Sequence, residues 1–173
     1  MLLEVTSKTH GTYNALIDAE DAERVSQHTW HVLGASSARI DFATKVRKPD
    51  GKRTTLPLHR FIMNAPDGME VDHIHHNYCD LRKTELRCVR HSQNMMNQRS
   101  RSDTSSRFKG LTWYKRRSKW RAQITNNYKN VHLGYYPGTP EGEIEAAIAY
   151  NKAAVELFGE YAKLNDISER EAA

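Results

Sequence analysis

The sequence predicts an α+β protein made of two small domains. Three observations lead to this prediction: short segments in which apolar and polar residues alternate, one long amphipathic pattern near the C-terminus, and a polar segment between two strand-rich regions. The polar segment, residues 99–107, is basic and contains only Arg, Ser, Asp and Thr, so it is predicted to be a linker. The expected organisation of the 173 residues is a domain over residues 1–98, a second domain over residues 108–166, and a tail over residues 167–173.

Turns and strand patterns alternate through the N-terminal part. Residues 37–47 carry apolar side chains on one face and mostly charged ones on the other, which is typical of a half-buried strand. A Pro-Asp-Gly turn follows at residues 49–51, because Pro fixes φ and Gly allows a positive φ. The predicted elements, in order, are a strand over residues 12–17, a short helix over 19–27 capped by Asp18, the strand over 37–47, a return strand over 52–58, a short helix over 59–63 and a short strand over 69–71.

Beyond the linker the strand pattern restarts and ends in one helix. Thr139 is the predicted N-cap of that helix, Pro140 occupies its first position, and Gly159 marks its end. The predicted strands cover residues 108–114, 119–125 and 130–135. The helix residues expected to face a core are Ile144, Ala147, Ile148, Tyr150, Ala154, Leu157 and Phe158.

The charge of the chain is concentrated in one stretch. The net charge is +5, yet residues 81–130 carry fourteen Lys and Arg and two acidic residues, so this stretch is +12 and the remainder −7. Such a field favours a polyanion such as nucleic acid, although a solvated basic face would give the same composition. No apolar run approaches the roughly 18 residues of a membrane span, no secretory signal is evident, and the two cysteines form no C-x-x-C pair. We therefore expect a cytoplasmic, intracellular protein that does not bind membranes.

The densest group of reactive side chains lies in residues 71–97. An apolar strand ends in Asp-His, a polar loop follows, a second strand passes through residues 86–89, and a short helix begins at Ser92. This strand–loop–strand–helix order predicts that polar side chains converge at one end of the hairpin. The polar residues of the stretch are Asp72, His73, His75, His76, Asp80, His91, Asn94 and Asn97.

This layout resembles the HNH endonuclease family and its ββα-metal module. The matching segments are residues 71–74, Leu86-Arg87 with Val89, and residues 92–97, in the version found in phage homing endonucleases; residues 58–64 resemble the segment that leads into it. The resemblance covers about residues 1–98. It implies a homing-type enzyme, encoded by a phage in a bacterial host, that hydrolyses double-stranded DNA.

The resemblance also implies roles for single residues. His73 would be the general base, and the oxygens of Asp72 and Asn94 would bind Mg²⁺ or Mn²⁺, since these ions prefer oxygen ligands. Glu85 and Leu81 depart from the family, which often has Asn at these positions. Either Glu85 holds the loop by pairing with Arg87 or Lys83, or catalysis is weakened. The remaining candidates, for substrate contact or structural support, are His59, His75, Glu85, Arg87 and Asn97.

A zinc site is an alternative for the same segment. It would use Cys79 and Cys88 together with histidines, but eight residues between two cysteines is not a normal ligand spacing. Packing is the more ordinary role for both thiols.

Residues 108–165 resemble the plant Apetala-two/ethylene-response-factor DNA-binding domain. The matching segments are residues 108–111, 119–124 and 133–136 and the Ala-rich helix 143–158. The resemblance implies three antiparallel strands packed on one helix, with the sheet entering the major groove, and alternation along the strands agrees with one polar face. The residues that would contact DNA are Lys109, Thr112, Tyr114, Lys115, Arg116, Arg117, Lys119, Arg121, Gln123, Thr125, Asn130 and His132.

Two functions remain open from the sequence. One is a metal-dependent endonuclease that nicks one strand, because each chain would carry one active site, whether as a monomer or as a homodimer. The other is a DNA-binding regulator whose HNH module is degenerate and inactive, with Glu85 as the sign of that loss.

Overall fold

The computed structural model describes residues 1–35, 39–100 and 104–168. Across these ranges it is an α+β structure with ten strands in four small sheets and four α-helices. Contacts within the chain divide it into two compact units, Met1–His91 and Ser92–Ala173. Residues 37 and 38 of the predicted strand, residues 101–103 of the predicted linker and residues 169–173 of the predicted tail lie outside the described ranges. No helix within those ranges combines the length and the apolar character needed to cross a membrane.

The N-terminal unit contains three small antiparallel sheets and two short α-helices. Its helices are α1 (Ala22–Ser26) and α2 (Leu58–Met63). Its strands are β1 (Leu2–Ser7) and β2 (Gly11–Leu16), then β3 (His31–Ala35), β4 (Ile40–Arg47) and β5 (Arg53–Pro57), then β6 (Glu70–His73) and β7 (Leu86–Val89).

The predicted elements of this unit are confirmed at most positions, with three differences. Strands β1 and β3 were not predicted, although β1 pairs with β2 along its whole length and β3 pairs with β4. Asp18 does not cap a helix, so that prediction is wrong. Its carboxylate instead accepts a hydrogen bond from the backbone N–H of Lys83 at 2.8 Å, and a 3-10 turn, Ala19–Asp21, precedes α1. The Asp18 carboxylate thus binds the distant N–H of Lys83 rather than an N–H in the first turn of the helix.

One hydrophobic core holds the three sheets of this unit together. Phe42, Leu58, Ile62 and Leu81 are each at most 2% exposed and pack in a single cluster. Leu81 comes from the long loop between β6 and β7, so this loop contributes to the core. Burial of an apolar side chain of this size stabilises the fold by about 1.5–3 kcal/mol, which an Asn at the same position would forfeit.

The same loop is hydrogen-bonded to the opening hairpin. The backbone N–H of Leu16 donates to the carbonyl of Cys79 at 2.7 Å, and the N–H of Leu81 donates to the carbonyl of Leu16 at 2.8 Å. Leu16 and Asp80 form a parallel bridge between these bonds. The loop therefore behaves as an extra, very short strand on the edge of β2.

Arg60 fixes the path from α2 to β6. Its guanidinium donates to the carbonyl of Met69 and, at 3.3 and 3.1 Å, to the carbonyls of Ala65 and Pro66. Helix α2 ends at Asn64, whose φ of 45° is left-handed. A charged donor that binds several carbonyls holds this turn closed and sets where β6 begins.

The C-terminal unit contains one three-stranded antiparallel sheet and two α-helices. Its sheet has the order β10-β9-β8. The elements are α3 (His91–Asn97, within this unit from Ser92), β8 (Leu111–Tyr114), β9 (Lys119–Asn126), β10 (Lys129–Tyr136) and α4 (Pro140–Phe158). All were predicted from the sequence. Thr139 caps α4 as expected, since its side chain accepts a hydrogen bond from the N–H of Gly142 at 3.2 Å.

Helix α4 packs on the sheet through a row of residues four apart. Ala146, Tyr150 and Ala154 are at most 2% exposed and cluster with Ala122 and Ile124 of β9, and Phe158 ends the row. Small alanines let the helix approach the sheet closely. The expectation that Ile148 and Leu157 face the core is wrong, because both lie off this row and are 49% and 41% exposed.

Gly110 shows how closely the helix and sheet approach. A Cβ at this position would lie 2.1 Å from the Tyr150 ring and 2.6 Å from the carbonyl oxygen of Gln123, and the φ of Gly110 is +82°. We expect Gly110→Ala to lower the free energy of unfolding by about 3–5 kcal/mol, because backbone strain and overlap add together. Urea denaturation measures this loss.

Gly159→Ala is the matched control. Its φ is also positive, at +53°, but nothing lies within 4 Å of the added Cβ. Gly159→Ala should lower the free energy of unfolding only by the cost of backbone strain, about 1–3 kcal/mol. Equal losses for the two variants would contradict the close approach of Tyr150.

Candidate functional site

A buried ion pair lies across the β6–β7 hairpin. Asp72 and Arg87 face each other in the strand register, and the Nε and Nη2 atoms of Arg87 lie 2.9 and 2.8 Å from Oδ2 of Asp72. The Asp72 side chain is 5% exposed and that of Arg87 is 16% exposed. The ion pair therefore brings a carboxylate and a guanidinium together near the end of β6, and both are largely shielded from water.

His73 lies next to this ion pair, among other rings. It is 8% exposed, and its ring centroid is 5.4 Å from that of His59 and 4.9 Å from that of Tyr78. Burial lowers the pKa of His73 to about 4, against the opposing influence of Asp72. Burial and His73 likewise lower the pKa of His59 to about 4. Both imidazoles are therefore neutral at pH 7 and able to accept a proton.

Two charged residues at the start of β4, Arg39 just before it and Asp41 within it, lie near these histidines. Arg39 pairs with Asp41, with Nε 3.1 and 2.9 Å from the two carboxylate oxygens, and its guanidinium lies 5.6 Å above the Tyr78 ring. The charges of Arg39 and Asp41 both act on the pKa of His73. Sequence reasoning missed these two residues and Tyr78. A charge pair two residues apart in a half-buried strand was the available signal, but it was interpreted as a solvated face.

Glu85 holds the β6–β7 loop through an unexpected partner. Its carboxylate lies 2.6 Å from Nδ1 of His75, and its carbonyl accepts from the N–H of Ile74 at 2.9 Å. The expectation that it pairs with Arg87 or Lys83 is wrong, because Arg87 binds Asp72 and Lys83 binds Glu20 and Asp21. The His75–Glu85 pair joins the two ends of the loop. The loop is thus held by a carboxylate at position 85, where the HNH sequences that it resembles often have Asn.

Asn94 and Asn97 lie on α3, in the C-terminal unit. Asn97 is buried at 3% exposure, and Asn94 is half-buried. The candidate residues that the structure brings together within the N-terminal unit are Asp72, His73, His59 and Arg87.

The donors of the N-terminal unit suit a hard cation better than zinc. Among the described residues no group of three or more His, Cys, Asp or Glu is placed to hold a metal ion. Structural zinc needs such a group, and Cys79 and Cys88 are half-buried thiols outside any disulfide. Mg²⁺ takes one or two protein carboxylates, with water and substrate phosphate completing its shell. A single carboxylate held at a strand end, as Asp72 is, has the donor chemistry for that ion.

The sheet of the C-terminal unit presents a polar face opposite α4. Arg121 pairs in register with Thr112 on one side and Tyr135 on the other. The Nε of Arg121 is buried and has no hydrogen-bond partner among the described residues, which is unusual for a guanidinium. The other predicted contact residues that the register and alternation place on this face are Tyr114, Gln123, Thr125, Asn130 and His132, and the turn after β8 presents Lys115, Arg116, Arg117 and Lys119 as exposed side chains.

A β-bulge adds Tyr135 to this face. The register shifts between His132 and Gly134, so residues three apart come to lie on the same side of β10. The His132 ring lies 4.6 Å from the Tyr135 ring, and Tyr114 lies 5.3 Å from it on the other side. The guanidinium of Arg117 is 5.4 Å above the Tyr135 ring. Strict alternation missed Tyr135, although a Gly inside a strand is a known signal of a bulge.

Lys109 differs from the other predicted contact residues. Its Nζ donates to the carbonyl of Met96 at 2.6 Å, and the residue lines a cavity of about 360 Å³ together with Phe108 and Tyr150. Its backbone is held by Asn165, which accepts from the N–H of Lys109 at 2.6 Å and donates to its carbonyl at 3.1 Å. This lysine is thus mainly embedded in its own unit.

Comparison with known proteins decides the family. Over 163 residues the chain is 31% identical to an uncharacterized HNH endonuclease of Acanthamoeba polyphaga mimivirus, in an alignment that covers 91% of this chain and 76% of the viral protein. This chain belongs to the HNH endonuclease family. No family model matches the sequence, and no solved structure matches it.

Lys109 gives this HNH endonuclease a pH-dependent stability. Burial, with a smaller influence from Lys163, lowers the pKa of Lys109 from 10.5 to about 8. Between these two values the unfolded chain binds more protons than the folded one, so stability rises as the pH increases from about 8 to 10.5. Lys109→Met should abolish that rise, measured as the urea midpoint at several pH values in this window.

Lys152→Met provides the control for this series. Lys152 is exposed on α4, so the variant should keep the pH dependence of the wild type. Groups that all three proteins share contribute equally to each curve and cancel in the comparison. Parallel curves for the wild type and Lys109→Met would show that Lys109 is not desolvated.

Proposed function

We propose that this HNH endonuclease hydrolyses phosphodiester bonds of double-stranded DNA with His73 as the general base. The observation that carries the proposal is the buried Asp72–His73 pair at the end of β6, with Arg87 fixed on Asp72 across the hairpin. A carboxylate, a neutral imidazole and a guanidinium side by side are suited to an anionic substrate and a water nucleophile.

His73 is assigned the proton transfer because it is neutral. With a pKa of about 4, the ring is neutral at pH 7, so one of its two nitrogens is available to accept a proton. The attacking water gives its proton to His73, the water oxygen bonds to phosphorus, and the bond from phosphorus to the 3′ oxygen breaks. The departing oxygen takes a proton from solvent. The rings of His59 and Tyr78 hold His73 in place and keep bulk water away from it.

A divalent cation, Mg²⁺ or Mn²⁺, completes the proposed site. Asp72 would hold it as the carboxylate ligand of the N-terminal unit. When bound, such an ion stabilises the negative charge that grows on the phosphate and on the departing oxygen. Arg87 orients the Asp72 carboxylate, since both of its contacts go to one oxygen, Oδ2.

We assign DNA binding to the C-terminal unit, as a domain of the Apetala-two/ethylene-response-factor type. The support is the polar sheet face, the buried Nε of Arg121 without a partner among the described residues, and the exposed basic turn after β8. The sheet would lie in the major groove while the turn contacts phosphates. Tethering one active site to a chosen sequence in this way would give a homing-type enzyme that nicks one strand.

One observation favours the other candidate, a DNA-binding regulator with an inactive HNH module. The guanidinium of Arg87 already neutralises Asp72, so it competes with a cation for the same carboxylate. Such a protein would retain its DNA affinity and lack the hydrolysis.

Cleavage of supercoiled plasmid tests the proposed chemistry. The wild type should convert it to the nicked circle with Mg²⁺ or Mn²⁺ and not with EDTA. His73→Ala should slow this conversion by about 100-fold or more, because general-base catalysis contributes that much. His10→Ala is the matched control, since His10 is exposed in the turn between β1 and β2.

Two results would count against the enzyme. Intact plasmid with every divalent ion tried, together with retardation of DNA on a gel, would support the regulator. Equal rates for His73→Ala and the wild type would remove His73 from the mechanism. Thermal melting of each variant separates loss of chemistry from loss of fold.

The proposed phosphate contacts predict a change in salt dependence. Lys115 is exposed in the basic turn. Lys115→Ala should weaken DNA binding and lower the slope of log affinity against log salt by about 0.9, the value for one lost phosphate contact. Lys152→Ala, on the helix that covers the opposite side of the sheet, should change neither. Fluorescence anisotropy with a labelled duplex at several salt concentrations measures both quantities.

A further inference from the structure

The tip of the β9–β10 hairpin holds a tyrosine in an unfavourable conformation. The last strand pair is Asn126 with Lys129, which leaves Asn127 and Tyr128 as a two-residue loop. Their φ values are 47° and 62°. Two positive φ values in such a loop are those of a type I′ turn, which strongly favours Asn-Gly. Asn127 suits its position, whereas Tyr128 occupies the position of the glycine.

Within the described part of the chain, the packing of Tyr128 offers little to compensate for this choice. Tyr128 is 90% exposed, so its ring gains little from burial. A bulky residue in the left-handed region is a genuine outlier, because its Cβ crowds the following carbonyl. Where a sequence breaks a local rule without a structural gain, a functional reason is the expected one.

The surroundings of Tyr128 match the nucleic-acid face. Just before and after the loop, Thr125 and Asn130 pair across the strands with a 2.6 Å hydrogen bond between their side chains, and both belong to the polar face. Lys129, the next residue in the chain, is exposed. Residues 119–136 contain no acidic residue, so a phosphate backbone meets no repulsion there.

We propose that Tyr128 is a DNA-contacting residue, whose ring packs against a sugar or base at the end of the footprint of the sheet. The proposal rests on DNA binding by the C-terminal unit. An uncharged ring adds affinity through contact and stacking rather than through charge. Its contribution therefore differs in kind from that of the basic turn after β8.

Tyr128→Gly separates stability from binding, because the two should change in opposite directions. The variant restores the Asn-Gly turn, so its Tm should rise by about 4–8 °C. Its affinity for a short labelled duplex should fall about tenfold, the size expected for one lost aromatic contact. The slope of log affinity against log salt should stay that of the wild type, because no charge is removed.

Two further variants complete the test. Tyr128→Phe keeps the ring and should keep the affinity, whereas Lys115→Ala should lower both the affinity and the salt slope. Wild-type affinity in Tyr128→Gly would overturn the inference and leave DNA binding intact. Failure of the wild type to bind DNA at any salt concentration would overturn the proposed function itself, and the inference with it. A protein that is more stable and binds less tightly is the supporting result.

Discussion

The ion pair between Asp72 and Arg87 is the constraint on which the candidate active site depends. Both charges are largely removed from water, and pairing offsets part of the cost of burying each of them. Their register across β6 and β7 fixes the distance without any contribution from a flexible loop. The pair thereby sets where β6 ends and where His73 lies.

Local patterns predicted most elements of the fold. Thr139, Pro140 and Gly159 bound α4 through interactions within a few residues, and such signals are visible in a sequence. Asp18 failed as a cap because Lys83, 65 residues away, offered its N–H instead. Glu85 failed for the same reason, since the nearest cations were taken by partners elsewhere. A hydrogen-bond or ion-pair partner predicted from sequence spacing is correct when no residue distant in the sequence competes for the same group.

The candidate sites show the same limit at the level of single side chains. Asp72 and His73 stand together in the sequence, so their proximity needed no tertiary information. Tyr78 reaches His73 through the fold of the β6–β7 loop, and Arg39 reaches Tyr78 through packing between different sheets. Tyr135 depends on one extra residue in β10, and a single bulge reverses which side chains share a face. Position along the chain therefore predicts the reactive groups better than it predicts the residues around them.

The parallel bridge between Leu16 and Asp80 gives the first hairpin a second role. Strand β2 is hydrogen-bonded to the loop that carries Tyr78, and Leu81 packs that loop into the shared core. Fraying of the opening strands would loosen the ring against which His73 rests, although no residue of those strands belongs to the motif. The β6–β7 hairpin is therefore not an independent unit: transferred to another protein without these first strands, it would lose the hydrogen bonds that hold its loop.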